Sequence, residues 1–251
     1  MRAKLVVANW KMNGSFSLLY EMLESLRANL EYFSCNVVIC PPNVFLKSLN
    51  SAVEGTGIEV GAQNVHGELS GAYTGETSVM LLKECGVQWC IVGHSERRMH
   101  FDESDDSIRN KASTLLSNGI RPILCVGETI EQRTSGTHEE VVVSQIRKIL
   151  SGLNSEDQLR CVVAYEPVWA IGTGKTATQE QANTMHKIIR KEIESIAGFK
   201  VATNIKIIYG GSVNVENTKS LLSQPEIDGT LVGSASLKKE DFSQIVFSAG
   251  T

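Results

Sequence analysis

The 251-residue chain is 42% apolar and 21% charged, with a net charge of −4. That balance fits a globular fold with a sizeable core and offers no basic surface for nucleic acid. The apolar stretch before Asn9 is too short for a secretory leader and no run reaches membrane-spanning length, so a cytoplasmic protein without a membrane partner is expected.

A three-part unit recurs eight times along the chain. Each unit is a short apolar run, a Gly-rich or polar loop, and an amphipathic helix. The apolar runs cover 5–8, 36–40, 58–61, 89–92, 121–126, 161–165, 205–209 and 229–232. Between them, Leu19, Met22, Leu23, Leu26 and Leu30 recur at helical spacing. So do Val142, Ile146, Ile149 and Leu150, and Ala182, Met185, Ile189, Ile193 and Ile196. Strands alternating with helices predict parallel βαβ units, and eight of them over 1–251 fit one (β/α)₈ TIM barrel as a single α/β domain. A doubly wound open sheet is the alternative. The six cysteines, at 35, 40, 85, 90, 125 and 161, form no Cys-x-x-Cys pair and do not cluster with histidine. Buried free thiols in a reducing cytosol are expected, and no zinc site.

In such barrels chemistry gathers where strands end. Asn9 and Lys11 follow the first run, two residues apart, and share a side if extended geometry continues. Lys11 would supply a positive charge for an anionic substrate. The irregular segment 63–77 is long for a compact barrel and reads as functional, with an arm toward a second subunit as one reading. His94 follows the fourth run, and a helix starting at Ser95 would favour a neutral imidazole able to donate to a carbonyl. The adjacent Glu96, Arg97 and Arg98 read as ion-pairing residues, with Glu96 also placed to orient Lys11.

Glu166 directly follows the sixth run, a carboxylate at the end of a rigid strand. Pro167-Val168-Trp169 stiffens the loop beyond it and 170–174 is small and flexible. Thr178 with Gln181 then opens a helix as a capping box, and Thr137 with Glu140 predicts another. This composition suggests a lid with two hinges beside a base. After the seventh and eighth runs, Gly210-Gly211-Ser212 and Gly233-Ser234 offer backbone N–H groups to a phosphate.

Taken together, Ala8-Asn9-Trp10-Lys11-Met12-Asn13-Gly14, Gly93-His94-Ser95-Glu96-Arg97-Arg98, Ala164-Tyr165-Glu166-Pro167-Val168-Trp169-Ala170-Ile171-Gly172-Thr173-Gly174 and Tyr209-Gly210-Gly211-Ser212-Val213 resemble the triosephosphate isomerase family, in family order and across essentially the whole chain. Cys125-Val126-Gly127-Glu128-Thr129, Gln63-Asn64 and Tyr73-Thr74-Gly75-Glu76 add to the likeness. The resemblance implies interconversion of dihydroxyacetone phosphate and glyceraldehyde 3-phosphate without a cofactor. It implies Glu166 as base, His94 as electrophile, Lys11 and Asn9 as stabilisers of the oxyanion, and main-chain phosphate contacts at Gly172, Ser212, Gly233 and Ser234. A glutamate base with a neutral histidine is an established pattern of this family. The resemblance also implies a homodimer through the 63–77 loop, with Thr74 reaching Asn9 and Lys11 of a partner. Two departures stand out: Ser234 where the family usually has a second Gly, and Met12 where many relatives carry Cys. Two rival readings remain, another phosphosugar aldolase or isomerase on the same barrel, and a non-catalytic phosphometabolite-binding protein.

Overall fold

The eight apolar runs become strands because each is buried on both faces, a setting that rewards continuous β-branched and aliphatic sequence. In the computed structural model, which describes residues 2–29, 34–170 and 176–250, the strands are β1 (Leu5–Asn9), β2 (Asn36–Cys40), β3 (Glu59–Ala62), β4 (Trp89–Val92), β5 (Arg121–Val126), β6 (Val162–Tyr165), β7 (Lys206–Tyr209) and β8 (Gly229–Val232). They pair in parallel in chain order, and β8 returns to β1 to close the barrel. An open sheet is thereby excluded. The alternation of side chains splits the core in two. Leu5, Val7, Val38, Ile91, Ala164 and Ile208 belong to the barrel interior. Val6, Val37, Val60, Val92, Val163 and Ile207 pack outward on the helices.

The helical stripes fall where the spacing put them. Leu19, Met22, Leu23 and Leu26 are buried on helix Phe16–Arg27, each contributing about 1.5–3 kcal/mol. Leu30 lies outside the described residues. Val142, Ile146, Ile149 and Leu150 are buried on helix His138–Leu150. Ala182, Met185, Ile189 and Ile193 are buried on helix Gln179–Ala197, whereas Ile196 is half-buried near its end. Among the described residues no helix is long and apolar enough to cross a membrane.

Several boundaries differ from the sequence reading. Asn9 belongs to β1, paired with Cys40. Ile58 is left in a turn, its N–H bonded to the Thr56 hydroxyl at 3.2 Å, so β3 begins one residue later. Cys161 and Ile205 each close the helix before them through N–H bonds to Gln158 and Val201. That delays β6 and β7 by one residue. The capping box expected at Thr137 is absent. Gly136 turns the chain at φ 79°, and Thr137 closes that turn with its hydroxyl on the Gln132 carbonyl, 3.3 Å away. Thr178 and Gln181 do form their reciprocal box. All six cysteines are free, but Cys35 and Cys85 are only partly buried.

Candidate active site

The C-terminal ends of the strands converge on a cleft of about 390 Å³, walled by Asn9, Lys11, His94, Gly211, Ser212, Gly233 and Ser234 among others. Glu166, 1% exposed, lies just behind the wall, against His94 and Gly210. A buried carboxylate needs donors, and the end of β4 supplies one. The Ser95 N–H, first in helix Ser95–His100, donates to Glu166 Oε2 at 2.8 Å. Glu166 Oε1 lies 3.1 Å from His94 Nε2, outside hydrogen-bond alignment, and makes no hydrogen bond among the described residues. One side of the carboxylate is thus held and the other stays available.

His94 caps the same helix with its side chain. Its Nδ1 accepts the Glu96 N–H at 3.3 Å. An imidazole nitrogen that accepts carries no proton, so the neutral ring keeps its hydrogen on Nε2, facing Glu166 and the cleft.

Lys11 departs from the extended path expected of it. Its φ is 52°, a left-handed conformation that a non-glycine residue holds only when its surroundings impose it. The constraints are visible. The Lys11 N–H donates to Asn9 Oδ1 at 3.1 Å, and Gln63 Nε2 donates to the Lys11 carbonyl at 2.9 Å and to that of Cys40 at 2.9 Å. Lys11 Nζ meets Glu96 Oε1 at 2.5 Å. Arg97 and Arg98 pair elsewhere, with Glu103 and Asp105. Glu96 therefore orients Lys11 and the two arginines do not compete for it.

The opposite wall is made of small residues for steric reasons. A Cβ on Gly211 would sit 2.3 Å from the Tyr209 hydroxyl, and one on Gly210 would sit 3.0 Å from Glu166 Cγ. Ser212 is fixed through its carbonyl, which accepts from Asn217 Nδ2 at 2.9 Å. Beyond Gly233, no side chain caps the short 3₁₀ turn Ser234–Leu237, so its leading amides stay open to an anion. Ser234 takes the position with ordinary helical geometry, and the serine in place of the family's glycine is accommodated. Gly172 lies outside the described residues, as does the rest of 171–175.

One organising residue carried no role in the sequence reading. Glu128 is fully buried just after β5, and its Oε1 accepts from Trp169 Nε1 at 2.8 Å, Tyr165 Oη at 3.1 Å and Arg133 at 3.1 Å. The Glu128 carbonyl also accepts the Val168 N–H at 3.1 Å. Glu128 thus clamps the chain that leaves Glu166. The only sequence signal was its place in a Gly-Glu-Thr stretch after a strand.

Acid–base chemistry on a small anionic metabolite suits a mouth of this kind, and the fold around it is that of the (β/α)₈-barrel enzymes. Comparison with known proteins narrows the class. The triosephosphate isomerase family model matches residues 4–249. The chain is 45% identical over 246 residues to the triosephosphate isomerase of Clostridium novyi, with 98% of each chain covered. It is 48% identical over 247 residues to that of Herpetosiphon aurantiacus, covering 98% of this chain and 99% of the relative. With that of Lactobacillus delbrueckii subsp. bulgaricus it shares 46% identity over 246 residues and 98% of each chain. The chain belongs to the triosephosphate isomerase family.

Proposed function

We propose that Glu166, His94, Lys11 and Asn9 carry out the reaction of this family, the interconversion of dihydroxyacetone phosphate and D-glyceraldehyde 3-phosphate. The enzyme is an isomerase, and its chemistry is proton transfer through an enediolate. The supporting observation is the 3.1 Å approach of the Glu166 carboxylate to the neutral His94 ring at the end of one cleft. A three-carbon substrate entering there offers its carbonyl oxygen to His94 Nε2–H and to the Lys11 ammonium. Glu166, with one oxygen free, takes the proton from the adjacent carbon. The electron pair moves onto the oxygen, giving the enediolate; His94 Nε2–H gives its proton to that oxygen and recovers the hydroxyl proton from the other, and return of the carbon-bound proton to the neighbouring carbon completes the exchange. The Asn9 side chain, which holds the Lys11 backbone, lies beside the developing oxyanion. One such preorganised donor is worth about 3–4 kcal/mol in the transition state.

The phosphate is assigned to the amides of Ser212, Gly233 and Ser234, with Gly172 contributed by the segment 171–175. Phosphate contacts remote from the reacting carbon let binding energy drive closure over the site. A Schiff-base aldolase fits less well. Such a lysine works in a desolvated pocket, whereas Lys11 is partly exposed and tied to Glu96. The whole chain is taken to act as one barrel unit in the cytoplasm, paired as a homodimer through the 63–77 loop.

The test is a coupled assay of Glu166→Gln. Turnover is expected to fall roughly 10²–10⁴-fold, while affinity for a phosphorylated enediolate mimic changes only a few-fold. Turnover near the wild-type rate would remove Glu166 as the base.

A further inference from the structure

The opposite end of the barrel holds charge that the proposed reaction does not use. Trp89 pairs with Arg121 and Val162 with Lys206 in the strand register. Trp89 and Val162 both face the barrel interior, so Arg121 and Lys206 begin on that same face. A cleft of about 320 Å³ opens there, walled by Asn36, Trp89, Arg121, Arg160, Asn204 and Lys206. It has room for a small ligand and lies a strand's length from the catalytic mouth.

The three cations differ in how well they are matched. Arg121 stacks on the Trp89 ring at 4.3 Å and reaches Glu59 at 3.1 Å. Arg160 donates to the Leu116 carbonyl at 3.0 Å and lies 3.6 Å from Asp157. Lys206 forms no ion pair among the described residues, and its Nζ contacts only the neutral Asn36 Oδ1 at 3.2 Å. Burial pushes the Lys206 ammonium below its ordinary range. The Asp228 charge partly offsets this, Arg121 adds to it and Glu59 opposes it again. A half-buried ammonium beside a guanidinium, with no carboxylate at ion-pair distance among the described residues, is a setting that an anion stabilises. The Trp89 indole N–H, from another residue of the wall, is buried with no acceptor among the described residues.

We propose that this cleft is a second oxyanion site, binding a small phosphate- or carboxylate-bearing metabolite through Lys206, Arg121 and Arg160. The planar forks of two arginines suit either group, and Lys206 supplies the unmatched charge. The site borders the first residues of β5, β6 and β7. It touches none of the residues placed in the catalytic cleft, so its occupancy reads out separately from turnover.

Equilibrium dialysis with labelled inorganic phosphate tests this, using the whole protein with its catalytic cleft filled by one equivalent of the enediolate mimic. The wild type should retain one phosphate per chain. Lys206→Gln and Arg160→Gln should each weaken it at least about tenfold with turnover unchanged. Arg160 is only partly buried and lies outside the strands, so that variant keeps the test open if Lys206→Gln folds poorly. Excess malonate displacing the phosphate would assign the site to carboxylates as well, and failure to displace it would reserve the site for phosphate. No phosphate beyond the blocked cleft, or equal binding in wild type and variants, would overturn the proposal.

Discussion

At the residue scale, the groups proposed to do chemistry and the groups that hold them differ in how they show in sequence. Asn9, Lys11, His94 and Glu166 were legible because each lies within three residues of the end of an apolar run, and a barrel places such residues at one mouth. Glu128, Gln63 and the Ser95 amide were not. Their role lies in hydrogen bonds to elements 37 to 71 positions away, from Glu128, Gln63 and Ser95 to Tyr165, Lys11 and Glu166, and no local pattern encodes that. The left-handed Lys11 was equally hidden, since lysine gives no hint of positive φ. Gly127 shows the same contrast. A Cβ there would lie 1.7 Å from the Glu166 carbonyl oxygen, so the backbone bearing the base passes over a residue that must lack a side chain. Both Gly127 backbone groups are also bonded by Gln145, at 2.8 and 3.1 Å. Gly127→Ala should therefore destabilise the fold by about 3 kcal/mol or more, because backbone, not a flexible side-chain end, has to move. Urea denaturation measures this, and an unchanged midpoint would contradict the close approach.

At the scale of elements, β6 and β7 carry the proposed base and the small-residue wall proposed for the anion, and they share a backing. His186 on helix Gln179–Ala197 is fully buried behind them. Its ring centre is 5.8 Å from that of Tyr165 and 6.5 Å from that of Tyr209, and its Nδ1 lies 3.2 Å from the Glu226 carbonyl. Burial pushes its imidazolium down to about 4, with the Glu226 carbonyl only partly offsetting this. In the unfolded chain the ring titrates near 6.5. Below that value the unfolded state takes up a proton that the folded state refuses, so stability falls with pH until the folded ring titrates too. The contribution is intact above pH 6.5 and lost between about 6.5 and 4. By pH 5 the loss reaches roughly 2 kcal/mol. His186→Gln should flatten that part of the pH–stability curve, measured by denaturant unfolding at pH 7 and pH 5. Identical slopes in wild type and variant would show that His186 is not held neutral. The helix itself was readable from its capping box and apolar stripe. The histidine within it was not, since a buried imidazole and a solvated one look alike in sequence.

At the scale of the whole molecule, the closed barrel followed from counting eight alternating units, because only closure buries both faces of every strand without an exposed edge. What lies on its surface required coordinates. Met12 is 96% exposed and Phe101 65% exposed. Both border a cleft that also contacts Asn9, Lys11, His94 and the tip of the 63–77 loop at Gly75. The loop is built to keep its shape. Its base is closed by the His66 N–H on the Thr77 carbonyl at 2.8 Å, and His66 stacks on Tyr73 at 4.1 Å. Yet Leu69 and Tyr73 remain about half exposed. A preordered arm with apolar outer residues, next to an apolar-rimmed cleft on the same chain, can satisfy itself across a two-fold axis, where each copy gives an arm and receives one. Such an arm would press against the strained Lys11, whose own chain restrains it chiefly through Asn9 and Gln63. Shortening the loop between 68 and 75 should therefore yield a monomer that keeps its far-ultraviolet circular dichroism but loses turnover about a hundredfold or more. Sedimentation equilibrium reads the first effect and the coupled assay the second. A full-length chain that stays monomeric at tens of micromolar, or a monomeric variant with undiminished turnover, would separate this loop from the catalytic mouth.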